Sequence, residues 1–351
     1  MTNKTDDLRI TGTTRLIEPN ELIGGIPVTD TVGETVTNAR QAVSAMLRGD
    51  DDRIAVVVGP CSIHDPEAAL EYANKLVALK QQYTNELCII MRVYFEKPRT
   101  TVGWKGLIND PDMDNSFNIN KGLKLARTLL SDINTLGLPA GVEYLDLISP
   151  QYIADLVGWG AIGARTTESQ GHRELASGLS CPVGFKNGTA GSLQIAVDAI
   201  GAAQSPHNFL SVSKGGRSAI FTTAGNPDCH MILRGGKAST NHDAASVDDA
   251  CAMLNKAGLQ ERVMIDCSHA NSRKKHERQR YVCGDICNQV CAGDHRIMGV
   301  MIESNLVAGA QSPTAETLTY GQSVTDACVA WEDTVPMLDQ LASAVLKRRS
   351  L

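Results

Sequence analysis

This chain of 351 residues is marked first by what it lacks. No apolar run approaches the roughly 20 residues that a membrane-spanning helix needs. There is no basic excess. Lys and Arg total 33 against 39 Asp and Glu, a formal net charge of −6, whereas general nucleic-acid binding needs a basic face. Residues Met1 to Arg9 are polar and charged and carry no secretory h-region. Neither an internal repeat nor a low-complexity segment is evident. What remains is ordinary globular composition, 42% hydrophobic and 21% charged, with length for a large core in one decorated domain or two. Ten cysteines lie scattered along the chain; without a signal peptide they read as free thiols in a reducing compartment, so the expected location is the cytoplasm.

The stretch Met91-Arg92-Val93-Tyr94-Phe95-Glu96-Lys97-Pro98-Arg99-Thr100-Thr101 stands against the acidic balance. The apolar run from Cys88 to Val93 reads as a buried strand. It feeds a turn carrying Arg92, Lys97 and Arg99 beside two threonines. Pro98 fixes its own φ and pushes Lys97 towards extended backbone, which holds the flanking cations apart. Three cations at one strand end suit a phosphate or carboxylate, and equally a solvated basic loop.

An order then repeats along the chain: apolar run, polar loop, amphipathic stretch. Residues 1–50 form an N-terminal extension with helical character from Thr35 to Leu47. Eight strand-like runs follow: Ile54–Val58, Leu87–Val93, Ala140–Tyr144, Ala161–Ala164, Pro182–Phe185, His230–Leu233, Val263–Asp266 and Ile297–Ile302. Helices are expected at Pro66–Gln82, Lys121–Leu136, Gln151–Val157, Leu193–Ala203, Val247–Ala257 and Lys274–Cys291. Between the fifth and sixth runs, Phe209–Ser213 and Ser218–Thr222 alternate apolar and polar around Lys214-Gly215-Gly216, the pattern of an inserted β-hairpin at about 208–224. Eight runs separated by helices suggest an α/β fold of the (β/α)8 TIM-barrel type over residues 51–351; an open doubly wound sheet is the alternative.

In a barrel, functional residues sit just after the strands on one face. The strand ends carry Arg92, Lys97, Arg99, Arg165, Lys186 and Arg234, and also Cys61, His269 and Glu303, with Asp326 in a later loop. Six cations at one face would repel one another unless anionic groups fill the space between them. A Cys, His, Glu and Asp set suits a divalent transition metal rather than Mg2+ or Ca2+. Each residue also has an ordinary structural reading: rim salt bridges for Arg165 and Arg234, a small buried side chain for Cys61. Cys283, Cys287 and Cys291 share one helical face and are expected to pack against the barrel.

Several long motifs carry a family resemblance. They are Gly-Pro-Cys-Ser-Ile-His-Asp (59–65), the stretch 91–111 ending Gly-Trp-Lys-Gly-Leu-Ile-Asn-Asp-Pro, Gly-Ala-Arg-Thr-Thr-Glu-Ser-Gln (163–170), Pro-Val-Gly-Phe-Lys-Asn-Gly-Thr (182–189), Ile-Leu-Arg-Gly-Gly-Lys (232–237), Asp-Cys-Ser-His-Ala-Asn-Ser (266–272) and Ser-Val-Thr-Asp-Ala-Cys (323–328). Together they resemble 3-deoxy-D-arabino-heptulosonate 7-phosphate (DAHP) synthase of the short-chain, feedback-regulated type, most of all its phenylalanine-sensitive form. The resemblance implies a transferase, 3-deoxy-7-phosphoheptulonate synthase. It condenses phosphoenolpyruvate with erythrose 4-phosphate, releases phosphate and opens the shikimate pathway.

By that resemblance Arg92, Arg165, Lys186 and Arg234, with the backbone of Gly163 and Ala164, hold phosphoenolpyruvate. Arg99 and Thr100 hold erythrose 4-phosphate. Cys61, His269, Glu303 and Asp326 bind one divalent metal per subunit, Mn2+ first, with Fe2+, Co2+ or Zn2+ as alternatives. Lys97, its pKa lowered by cationic neighbours, is expected to protonate the new alkoxide, and Glu143 to position or activate water. An aromatic amino acid inhibitor, phenylalanine first, is expected at a hairpin site of Asp6, Asp7, Pro150, Gln151, Leu175, Gly178, Leu179, Phe209, Ser211, Ile220 and Phe221. The N-terminus would reach it from a neighbouring subunit of a homo-oligomer, a tetramer in the family. Three positions depart from the family pattern: Phe221 for a smaller aliphatic residue, Gly215 for a bulky turn residue, and Ala190 in a loop that usually reads Asn-Gly-Thr-Asp-Gly. Rival readings are the related eight-carbon sugar-acid synthase acting on arabinose 5-phosphate, and a non-catalytic amino-acid sensor that kept the fold.

Overall fold

The computed structural model describes residues 5–99, 101 and 103–351. The expected runs are strands: β1 (Ile54–Gly59), β2 (Leu87–Arg92), β3 (Ala140–Glu143), β4 (Trp159–Ile162) and β5 (Val183–Lys186). The hairpin is β6 (Asn208–Val212) and β7 (Ser218–Thr222), and the series ends with β8 (Cys229–Leu233), β9 (Val263–Asp266) and β10 (Ile297–Glu303). All but the hairpin pair in parallel around a closed barrel, β1-β2-β3-β4-β5-β8-β9-β10 and back to β1. Closure decides against the open sheet.

Every barrel strand is buried on both faces, which is why each reads as a continuous apolar run rather than an alternation. Along β1, Ala55 and Val57 pack inwards with Ile90, Trp159, Ala161, Ile232, Met264 and Met301. Their neighbours Ile54, Val56 and Val58 join the separate cluster between sheet and helices.

The helix Asp30–Arg48 begins earlier than expected because Thr29 caps it, accepting a hydrogen bond from the Val32 amide. It lies across the N-terminal end of the barrel. Val43, Met46 and Leu47 pack into the interior cluster. Arg40 donates to the carbonyls of Ala154 and Val157, and Ser44 to Asp228, at the entries to β4 and β8.

Three helices went unread in the sequence, Pro19–Gly25, Gln170–Gly178 and the C-terminal Trp331–Arg349. The expected helix from Lys274 begins only at Gln279. Arg273 and Lys274 adopt left-handed φ of 52° and 59°, so no right-handed helix can start there. That helix packs Cys283 and Cys287 inside, as expected, and all ten cysteines are free thiols. The hairpin is a separate two-stranded antiparallel sheet. Among the described residues, no helix is long and apolar enough to cross a membrane.

Candidate active site

A cavity of about 730 Å3 opens at the C-terminal end of the barrel. Among the described residues its wall carries Lys97, Arg99, Arg165, Lys186, Arg234, Lys237, Arg273 and Lys274 against two carboxylates, Glu143 and Asp326. Such a space is built for polyanions.

On its floor the ligating atoms of Cys61, Glu303 and Asp326 all lie within 4.8 Å of one another. His269 Nε2 stands 3.8 Å from Glu303 Oε1 and 4.0 Å from Asp326 Oδ2, so it completes the group. The imidazole is aimed from behind: its Nδ1 is 2.8 Å from Asp266 Oδ2. Burial and the Lys186 charge push the His269 pKa down, so the ring is neutral, donates from Nδ1 and turns the Nε2 lone pair to the site. Burial opposes the charge of Asp266, but Lys186 and His269 outweigh it and hold the carboxyl well below the usual range. Burial opposes the charge of Asp326 too, but the Lys274 and Lys97 charges help to hold its carboxyl low. Burial and then Glu303 push the Cys61 thiol up, so a metal binding there must displace its proton. One soft thiol, one imidazole and two carboxylates converging with an oriented imidazole fit a divalent transition metal.

Arg92 is buried beside this floor. It donates to the carbonyls of Pro60 and Cys61, meets Glu303 Oε1 at 3.1 Å, and its guanidinium lies 3.6 Å from the Tyr94 ring centre. These contacts, made by Nε and Nη2, brace the donor set. Lys97 Nζ sits 3.1 Å from the Cys61 carbonyl and 3.3 Å from its sulfur. The expectation of a lowered Lys97 pKa is corrected. Burial lowers it and Arg92 adds to that, but Cys61, Glu143 and Glu303 tip the balance upwards. The Cys61 contribution acts when its sulfur is ionised, as it would be on binding a metal.

Lys186 is ion-paired with Asp266 at 2.9 Å, so Asp266 joins an anion-facing lysine to the imidazole. Arg234 Nε is buried without an acceptor among the described residues, a donor available to an incoming anion. Its amide is held by Asn187, whose side chain also bonds Gly188 and Gly235. Exposed Ala190 contributes none of these bonds. Glu143 ends β3, and a Cβ on Gly163 would come within 2.3 Å of its Oε1, so glycine there is what lets the carboxylate stand over the backbone. The Lys97 loop is held by its amide bond to Lys105, and at Gly106 (φ 113°) a Cβ would meet the Phe95 carbonyl at 1.9 Å. Thr100 lies outside the described residues.

The sequence reading missed Asp266, Asn187, Lys237, Arg273 and Lys274. The Arg-Lys-Lys run a few residues after His269 was the available signal, and a turn at 269–274 was needed to see that it faces inwards.

Of the expected hairpin set, Phe209, Phe221, Gln151 and Gly178 make contacts on or with the hairpin and the residue that follows it. Phe209 and Phe221 stack at 6.0 Å, Lys214 bonds the Gln151 carbonyl, Ser177 bonds Thr223, and a Cβ on Gly178 would meet Thr223 at 2.8 Å. Ile220 is not on that face: strand alternation pairs it with Leu210 on the outer side, 73% exposed. Asp6 and Asp7 are exposed, the Asp7 amide on the Asp6 carboxylate. A Cβ at Gly215 would meet only Ser213 Oγ, at 4.0 Å.

Fold and floor together define a (β/α)8 protein whose strand ends hold a four-donor metal-type cluster under a polyanion cavity. The model of the DAHP synthetase I family matches residues 31–339, and the chain belongs to that family. It is 60% identical, over 99% of its length and 100% of the relative's, to the Phe-sensitive phospho-2-dehydro-3-deoxyheptonate aldolase of Escherichia coli (strain K12). To the Trp-sensitive protein of the same strain it is 53% identical, over 98% and 99%. The solved structure of phospho-2-dehydro-3-deoxyheptonate aldolase from Francisella tularensis SCHU S4 superimposes with a TM-score of 0.96 at 58% identity, covering 97% and 99% of the two chains.

Proposed function

We propose that this chain is a phospho-2-dehydro-3-deoxyheptonate aldolase. It condenses phosphoenolpyruvate with erythrose 4-phosphate to 3-deoxy-D-arabino-heptulosonate 7-phosphate and phosphate, at the entry to the shikimate pathway. The observation that carries this reading is the convergence of Cys61, His269, Glu303 and Asp326 beneath a cavity lined by eight cations. Two phosphates and a carboxylate are the charges such a wall can balance.

Lys186, Arg234 and Arg165, with the backbone at Gly163 and Ala164, hold phosphoenolpyruvate over the floor. Arg92 keeps Glu303 and the Cys61 carbonyl in place. Arg99 takes the sugar phosphate, so the aldehyde end points inwards. A divalent transition metal, Mn2+ first and Fe2+, Co2+ or Zn2+ next, supplies orientation and polarisation of that aldehyde when bound. The enol carbon attacks the aldehyde carbon, and the Lys97 ammonium gives its proton to the developing alkoxide. Water then adds at the electron-poor carbon, oriented by Glu143, and phosphate leaves by C–O cleavage.

The hairpin face, with Phe209, Ser211, Phe221, Gln151 and Leu179, is the site for an aromatic amino acid inhibitor, phenylalanine first. The Phe-sensitive name of a 60% identical relative supports that choice. A cytoplasmic homotetramer, with each N-terminal extension (residues 1–50) serving a neighbour's site, completes the reading.

The test is phosphoenolpyruvate consumption with erythrose 4-phosphate after chelation and metal add-back, repeated with phenylalanine, tyrosine or tryptophan. Metal-dependent turnover blocked by phenylalanine is the expected result. No turnover with any of the four metals would overturn the assignment, and near-full turnover by Lys97→Met would remove the proton-donor role.

A further inference from the structure

We propose that Arg273 binds the phosphate of the four-carbon sugar substrate together with Arg99; the inference rests on the functional reading above. The new carbon–carbon bond forms on the cavity floor, so the aldehyde must point inwards and the phosphate at the other end of a short chain must lie at the mouth. Among the inner cations, Lys186 is paired with Asp266, Lys97 lies on the Cys61 carbonyl, and Arg234 is given to phosphoenolpyruvate in the reading above. At the mouth Lys274 is taken by Asp326 at 3.0 Å. Arg273 lines the same cavity, is exposed, and has no hydrogen bond or ion pair to its guanidinium among the described residues.

Its backbone is fixed for the purpose. Arg273 and Lys274 join His269 (φ 55°) in left-handed conformations within one six-residue turn, an arrangement that persists only where the surroundings impose it. The turn is braced by Lys274 N on the His269 carbonyl, Arg273 N on the Ala270 carbonyl, and Asn271 Nδ2 on the carbonyls of Asp266 and Leu233. The turn that presents the imidazole to the floor therefore also sets an arginine at the mouth. A planar guanidinium can grip two phosphate oxygens at once, which an ammonium cannot.

The experiment is steady-state kinetics of the metal-loaded enzyme with Arg273→Gln and Arg273→Lys, titrating each substrate separately. A charge-assisted bond of this kind predicts about a tenfold rise in KM for erythrose 4-phosphate in the Gln variant. The Lys variant should fall between it and the parent, with kcat and the phosphoenolpyruvate KM within about twofold. With unphosphorylated erythrose at high concentration, parent and variant should turn over equally. An unchanged erythrose 4-phosphate KM overturns the proposal. So does an equal rise in both KM values, or a variant equally impaired with erythrose, since either means a loss of turn structure. A parent enzyme without turnover would sink the functional reading; a normal parent beside unaltered variants would sink this inference alone.

Discussion

The two ends of the barrel are made from the same eight strands and could hardly differ more. At the N-terminal end the helix Asp30–Arg48 seals the interior with Val43, Met46 and Leu47, and its polar side chains end on carbonyls and on Asp228. At the C-terminal end Arg234 Nε lacks an acceptor among the described residues, three residues of one turn sit in left-handed backbone, and four ligating side chains face one another. One end maximises burial; the other keeps polar groups poised for something to arrive. A closed barrel permits this because its strand ends open onto loops, whereas the interior between them is filled by layers of packed side chains.

The contrast breaks most sharply at Glu303. Glu303→Ala removes a metal donor and leaves Arg92 buried with its carboxylate partner gone, so kcat should fall about a thousandfold, with loss of bound metal by elemental analysis. Retained metal and rate would place the metal site elsewhere. At the sealed end Leu47→Ala should cost about 3 kcal/mol in urea unfolding while leaving kcat within about twofold. A large kcat change there would mean the two ends are coupled.

Glu96 sharpens the boundary between the two kinds of region. It is buried, accepts from Ser149 Oγ at 2.9 Å, and burial followed by Asp146 pushes its pKa up to about 7. A carboxyl raised on folding keeps its proton in the native state where the unfolded chain has lost it. Stability should therefore fall as pH rises from the ordinary carboxyl range to about 7. Glu96→Gln should abolish that decline, gaining at pH 8 relative to pH 5 by no more than about 3 kcal/mol. Parallel melts with no pH-dependent difference would show Glu96 to be charged and solvated. The smallest of these effects belongs to the open end: Gly163→Ala drives a methyl against Glu143, and kcat should fall about a hundredfold with the fold intact by circular dichroism. Undiminished turnover would remove Glu143 from the chemistry.

Much of this was legible beforehand, for local reasons. Strands buried on both faces write themselves as apolar runs, and residues at or just past the ends of six of them, Cys61, Arg92, Glu143, Lys186, Arg234 and His269, sit at the functional end. The alternation of Phe209–Ser213 and Ser218–Thr222 announced the hairpin. It also contained the information that Ile220 faces away from Phe221, because neighbours on a strand point to opposite sides. The late start of the helix at Gln279 was not legible, since left-handed Arg273 and Lys274 carry none of the glycine or asparagine that usually marks such backbone.

The sequence by itself determined the order of the elements, the placing of cations and ligand-type residues at strand ends, and the kind of chemistry they suit. Those features are written in periods of two to four residues and in side-chain type. Only the tertiary structure decided that the sheet closes, that Cys61 and Asp326 meet across most of the chain, that Arg92 meets Glu303, and that the Lys97 ammonium lies against the Cys61 sulfur. These depend on distances between residues remote in sequence and on the dielectric and charges that closure brings together, and no local pattern encodes either.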